Sequence, residues 1–137
     1  MPFTCSIRVA HRQGLVLARV DVLLAVYSSG GEVERHFRFD SGCDITTVSE
    51  DIAAVLELPA GGPTIQVGGV GGNTQGRMVD VRYRYPANEF TGVPGKEVDG
   101  KWVVVPQGGG IALLSFSEVH QHFTIGSDDS TMYFTEW

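Results

Sequence analysis

Cysteine is scarce in this chain. Two residues, Cys5 and Cys43, among 137 are too few for a disulfide framework, so stability has to come from a buried core. Long apolar runs are absent as well. The longest, such as Val22-Leu23-Leu24-Ala25-Val26, are strand-length and far short of the roughly 20 residues that a membrane-spanning helix needs. The N-terminus shows no basic start followed by an apolar stretch, the pattern of a secretory leader. These absences lead to the expectation of a soluble, cytoplasmic protein with reduced thiols and no membrane segment. Positive charge is also short: 10 Lys and Arg stand against 16 Asp and Glu, a net charge of −6. Such a chain is a poor general binder of nucleic acid or anionic membrane, which share its sign. Arg77, Arg82 and Arg84 are interleaved with Asp80 and read as a solvated strand face rather than a basic run.

Glycine, in contrast, is plentiful. Eighteen glycines without a Gly-X-Y period, together with frequent Val, Tyr, Thr and Phe, indicate an all-β protein with many turns. The length fits one domain, residues 1–137, with no internal repeat or linker. Strands are expected at Phe3–Arg8 and Leu15–Ser28, with a turn at His11–Gly14. Gly30-Gly31 signals a hairpin, and Val33, Arg35, Phe37 and Phe39 then alternate on one face of a further strand. Ile45–Val48 is β-branched throughout. A short helix follows, with Ser49 as its N-cap and Ile52, Val55 and Leu56 as its apolar stripe. A long hairpin over about 64–85 has the glycine-rich tip Gly68-Gly69-Val70-Gly71-Gly72-Asn73 and alternates Val79, Val81, Tyr83 and Tyr85 on its return strand. Lys101–Val105 and Ile111–Leu114 read as strands. A second helix opens on Ser115, three residues before Glu118 in capping-box spacing, with Val119 and Phe123 toward the core. Phe123–Ile125 and Met132–Thr135 close the chain around a polar turn.

Chemistry enters at Asp40-Ser41-Gly42, which ends the alternating strand. Asp-Ser-Gly alone is a weak signal, because three small turn residues usually mark a turn. Its context is more specific: an apolar strand runs into it, a β-branched strand and short helix follow, then a glycine-tipped hairpin, then an apolar run into a capped helix. With Phe39-Asp40-Ser41-Gly42-Cys43-Asp44-Ile45-Thr46 at its centre, this order resembles the retropepsin-like aspartic proteases, the family of retroviral proteases and their bacterial relatives. The resemblance spans about Leu15 to Phe134.

It implies an all-β, closed-barrel acid protease fold with one or two short helices and a flap hairpin. It also implies an aspartic endopeptidase that needs no cofactor and no metal. Two carboxylates held together share a proton, so that one activates water as a base while the other protonates the leaving amide as an acid. This chain has a single Asp-[Ser/Thr]-Gly, since Asp128-Asp129-Ser130 runs on to Thr131. The dyad would therefore form on the two-fold axis of a homodimer. The resemblance assigns catalysis to Asp40, the hydrogen-bond network locking the two site loops together to Ser41, and the turn beside the carboxylate to Gly42. It assigns the substrate-covering flap to Gly69, Val70, Gly71, Gly72 and Asn73, over an extended peptide or protein substrate. It also suggests an interchain sheet at Tyr133–Trp137.

The sequence departs from the family pattern at three places. Cys43 stands where the family has Ala, and Ser115 where its late motif, here Leu113-Leu114-Ser115, ends in Gly. The segment before Leu15 and the loop Pro86–Gly100 are longer than in compact members. Two other functions stay open. One is a catalytically inactive module of the same fold, used for dimerisation or peptide binding. The other is a cysteine-dependent enzyme using Cys43. Plainer readings favour a small buried residue for Cys43, a loop brace for Asp44, and solvated positions for His120 and His122. Trp102 and Trp137 read as core or dimer contacts. Gly68–Gly72 lacks the Gly-Lys-[Ser/Thr] ending of a phosphate loop.

Overall fold

The computed structural model describes residues 3–69 and 72–137, so Val70 and Gly71 of the expected flap lie outside the described residues. The chain order is β1 (Phe3–Arg12), β2 (Leu15–Ser28), β3 (Gly31–Asp40), β4 (Thr47–Ser49), α1 (Glu50–Val55), β5 (Thr64–Gly69), β6 (Gly72–Arg84), β7 (Glu97–Val105), β8 (Ala112–Ser115), α2 (Phe116–His120), β9 (Phe123–Ser127) and β10 (Thr131–Glu136). The expected class, mostly β with two short helices, is what is found. The period-2 patterns located the strands, while pairing partners set their ends. β1 runs on to Arg12 because Ile7–Arg12 pair with Leu15–Val20 of β2. β7 begins at Glu97 because β6 offers it a partner as far as Arg84.

Strands neighbour one another in the order β5-β6-β7-β4-β8-β3-β2-β1-β10-β9, and β2 also meets β6 at Ala25↔Arg84 and Val26↔Tyr83. Pairing that leaves β6 through β7, β4, β8 and β3 thus returns to it through β2. Two contacts are parallel, β3 with β8 and β4 with β7. They bring segments far apart in sequence side by side, which local patterning cannot signal.

The inward faces build one core. Val22, Leu24 and Val26 of β2, Phe37 of β3, Val79, Val81 and Tyr83 of β6, Trp102 and Val104 of β7, and Leu114 of β8 are all buried. Each such apolar side chain stabilises the fold by about 1.5–3 kcal/mol through burial. Trp102 sits between Phe37 and Tyr83, with ring centroids 5.1 and 5.2 Å away. A second aromatic group joins the chain ends, Phe3 lying 4.6 Å from Phe134 and 5.3 Å from Phe123.

One detail of α1 corrects the sequence reading. Ile52 and Leu56 are buried as expected, but Val55 is 53% exposed and Ala53 takes the third inward position. At about 100° per residue, either Ala53 or Val55 can complete a stripe with Ile52 and Leu56. The helix packs against β4 and β7, and that neighbourhood selects the Ala53 side.

Candidate active site

Asp40 is the last residue of β3. Its strand is fixed on one side by β2, through Asp21↔Arg38 and Val22↔Phe37. On the other side it is fixed by parallel pairing with β8, through Phe39↔Leu114 and Asp40↔Ser115. Buried Phe37 anchors the strand below. Beyond Asp40 the chain turns at once: the Cys43 N–H donates to the Asp40 carbonyl at 3.2 Å, and the Gly42 N–H donates to Asp40 Oδ1 at 2.9 Å. The carboxylate is thereby oriented by its own loop, with Ser41 and Gly42 exposed beside it. A Cβ on Gly42 would stand 3.4 Å from Asp40 Oδ1, so the small residue lets the amide approach without crowding. The structure thus brings the three expected residues, Asp40, Ser41 and Gly42, into one turn at a strand end.

The floor behind this turn is a buried polar network that sequence reasoning recognised only in part. Ser115 caps α2 as its spacing predicts, its hydroxyl accepting from the Glu118 N–H at 3.1 Å. The Ser115 N–H donates to Thr46 Oγ1 at 3.0 Å, which ties the strand opposite Asp40 to the loop that follows the Asp-Ser-Gly turn. Glu118 does not face solvent. Its Oε1 accepts from Tyr83 Oη at 2.8 Å and Trp102 Nε1 at 3.3 Å, and Tyr83 Oη lies 3.1 Å from Tyr85 Oη. Gly100 makes room for this group, since a Cβ there would come within 2.3 Å of Glu118 Oε1. The signal was present in the Ser115–Glu118 spacing, but a capping box ordinarily leaves its acid at the surface.

Burial pushes the Glu118 carboxyl above the usual range, against the opposing effect of its hydrogen bonds from Thr46, Tyr83 and Trp102. Burial raises the Tyr83 and Tyr85 hydroxyls in the same way. The folded chain therefore releases the Glu118 proton at higher pH than the unfolded chain does. Its contribution to stability is full below the ordinary glutamate range, falls as pH rises toward the folded value, and is level above it. Glu118→Gln keeps an acceptor oxygen for Tyr83 and Trp102 but cannot ionise. Its stability relative to wild type should rise with pH across that window, as read from urea midpoints. A gap between the two proteins that does not change with pH would contradict this assignment.

Of the residues expected in a flap, Gly69, Gly72 and Asn73 are described on the β5–β6 hairpin, where Gly68 pairs with Asn73 and Gly69 with Gly72; Asn73 is exposed. Its base is braced. Arg77 grips Glu50 of α1 with two hydrogen bonds of 3.1 and 3.0 Å, and it also donates to the carbonyls of Pro59 and, at 3.3 Å, Gly61. Only 19% of the Arg77 side chain is exposed, so it is a fixed strut and not the solvated residue expected. Arg82 and Arg84 do form surface ion pairs, with Glu97 and Glu32.

The Cys43 thiol donates to the Ile45 carbonyl at 2.8 Å, and burial raises it above its ordinary value. Burial, the larger effect, disfavours the thiolate that a nucleophile requires. Cys5 is likewise free and pushed up to about 11 by burial. Exposed His120 stacks on Phe116, while His122 is half-buried against Tyr85. Among the described residues no group of three His, Cys, Asp or Glu side chains is placed to hold a metal ion. No helix there is long and apolar enough to cross a membrane. Trp102 is core, whereas Trp137 is 70% exposed.

No family model matches the sequence, and no curated protein matches it. Among solved structures, the chain is similar to a retropepsin-like aspartic protease from Rickettsia conorii, with a TM-score of 0.59 over 98% of this chain and 91% of that one. At 16% identity, the likeness is one of fold. Within this retropepsin-like fold β10 is not a free strand. It is held between β1 and β9 of the same chain, so the suggested interchain sheet would have to form at the β9 edge or beyond Phe134.

Proposed function

We propose that the chain is an aspartic endopeptidase whose catalytic dyad consists of Asp40 from two identical copies. The observation that carries this reading is the setting of Asp40: a carboxylate at the end of a core strand, oriented by the Gly42 N–H, in a retropepsin-like fold. The ring of pairings through β6, β7, β4, β8, β3 and β2 supports the closed barrel that the resemblance implies. In the dimer the ionised Asp40 takes a proton from water as the oxygen attacks the peptide carbonyl. The protonated Asp40 of the other copy shares its proton with the developing oxyanion. Collapse of the tetrahedral intermediate then breaks the C–N bond and passes a proton to the leaving amine. Ser41 braces the paired loops. Gly69 to Asn73 cover the extended peptide and exclude water, glycine allowing close backbone approach.

The test is cleavage of an unstructured protein such as casein from acid to neutral pH, with molecular mass measured on the same preparation. Cleavage by a dimer supports the reading. A folded dimer that cleaves nothing favours an inactive peptide-binding module, and a strict monomer that cleaves removes the shared dyad.

A further inference from the structure

We infer that the outer half of the β1–β2 hairpin is a docking arm that grips a second copy of this chain beside Asp40. The inference rests on the shared-dyad reading, because one chain supplies one such carboxylate. β2 parts from β3 at Asp21↔Arg38, two residues before Asp40, or about 7 Å along the strand. Among the described residues its remaining length, Leu15–Val20, pairs only with Ile7–Arg12 of β1. The hairpin therefore leaves the body at the end of β3 that presents the carboxylate, where a partner must approach.

Its surface is apolar where solvent would favour polar residues. Val9, Leu15, Val16 and Leu17 are 51%, 61%, 65% and 46% exposed. On one face the cross-strand pairs run Ile7↔Val20, Val9↔Ala18 and His11↔Val16. The first of these packs on the core, through buried Val20 and partly buried Ile7. Val9, Ala18 and Val16 carry the same apolar face beyond it, beside His11, while Leu15 and Leu17 lie on the opposite face. A two-stranded ribbon is marginal in water by itself, so covering this face stabilises the arm as well as the contact.

Charge selects the occupant. Residues 1–20 contain Arg8, Arg12 and Arg19 and no acid, in a chain of net charge −6. The rest therefore holds seven basic and sixteen acidic residues, a net −9. Arg8 and Arg19 reach Asp21 at the base of the arm, at 3.2 and 2.9 Å, so the arm is most basic toward Arg12 at its tip. A basic arm and an acidic body on the same molecule are complementary between two copies related by a two-fold axis, each arm meeting the partner's body. The same −9 body opposes approach to an anionic lipid surface.

The test compares the wild type with Val9→Glu/Val16→Glu and with the conservative Val9→Ile/Val16→Ile by sedimentation over a range of concentrations, alongside casein cleavage. The arm predicts a wild-type dimer and an unaltered dimer for the isoleucine variant. The glutamate variant should dimerise about 100-fold or more weakly, with two charges forced into an apolar contact, and should recover cleavage at high concentration. A glutamate variant that dimerises as tightly as the wild type overturns the arm, and if it still cleaves through Asp40 the protease reading survives. A wild-type dimer and a monomeric glutamate variant, neither of which cleaves, support the arm and overturn the protease. Wild type that stays monomeric and sediments with vesicles of anionic phospholipid, when the glutamate variant does not, overturns the arm in favour of a lipid surface. Amide exchange on the wild type needs no variant: protection at 7–12 and 15–20 that rises with concentration supports the arm, and protection that does not change overturns it.

Discussion

Replacing Asp40 with Asn should abolish peptide cleavage, lowering turnover by about a thousandfold or more, while the protein still folds and associates. Asn retains an oxygen to accept from the Gly42 N–H, the bond that orients the native side chain at 2.9 Å, so the turn keeps its shape. It cannot take a proton from water, and in a homodimer both members of the dyad are lost together. On the proposed mechanism the loss is expected in kcat with little change in KM, because an extended peptide would be held mainly by flap and strand backbone. Casein turnover and urea midpoints on one preparation decide the matter. Unaltered turnover at an unaltered midpoint would remove Asp40 from the chemistry. Loss of turnover with a collapsed midpoint would make Asp40 a structural turn residue.

The largest effect on stability is expected at Trp102. It is fully buried, lies within 5.2 Å of Phe37 and Tyr83, and donates its indole N–H to Glu118. Trp102→Ala should cost about 3–5 kcal/mol through lost burial and the cavity left behind. Glu118 would also lose a donor, which adds to the cost. A domain of ordinary stability holds about 5–15 kcal/mol in all, so this variant should be partly unfolded at room temperature or melt well below the wild type. Trp102→Phe keeps most of the ring and loses the N–H, and should fall between the two. Thermal melts of the three proteins test the order. If the alanine and phenylalanine variants melt together near the wild type, Trp102 is not the centre of the core.

Much of this architecture was legible in the residues, and where it was not the reason is specific. Alternation of Val79, Val81, Tyr83 and Tyr85 against Met78, Asp80, Arg82 and Arg84 can be read from the chain because side chains on a strand point to opposite faces in turn. Asp-Ser-Gly at the end of such a strand, with a glycine-tipped hairpin downstream, led to Asp40, Ser41 and Gly42, which share one turn in the structure. Val55 was misplaced because a six-residue helix admits two stripes, and only the packing of α1 on β4 and β7 chooses between them. Arg77 looked like a surface residue because nothing in its neighbourhood along the chain announces Glu50, which it grips across 27 positions.

Composition and periodicity by themselves determined the mostly-β class, the strand positions, the two helix starts and the residue that ends the key strand. These are local properties, set by backbone preferences and by the alternation of apolar and polar side chains. Tertiary structure alone decided that β8 lies parallel to β3 with Ser115 opposite Asp40. It also decided that Glu118 turns inward to Tyr83 and Trp102, and that the first hairpin carries an apolar face past the core. Each depends on which distant segment supplies the neighbour, and a neighbour brought in by long-range pairing leaves no periodic trace in the residues it meets.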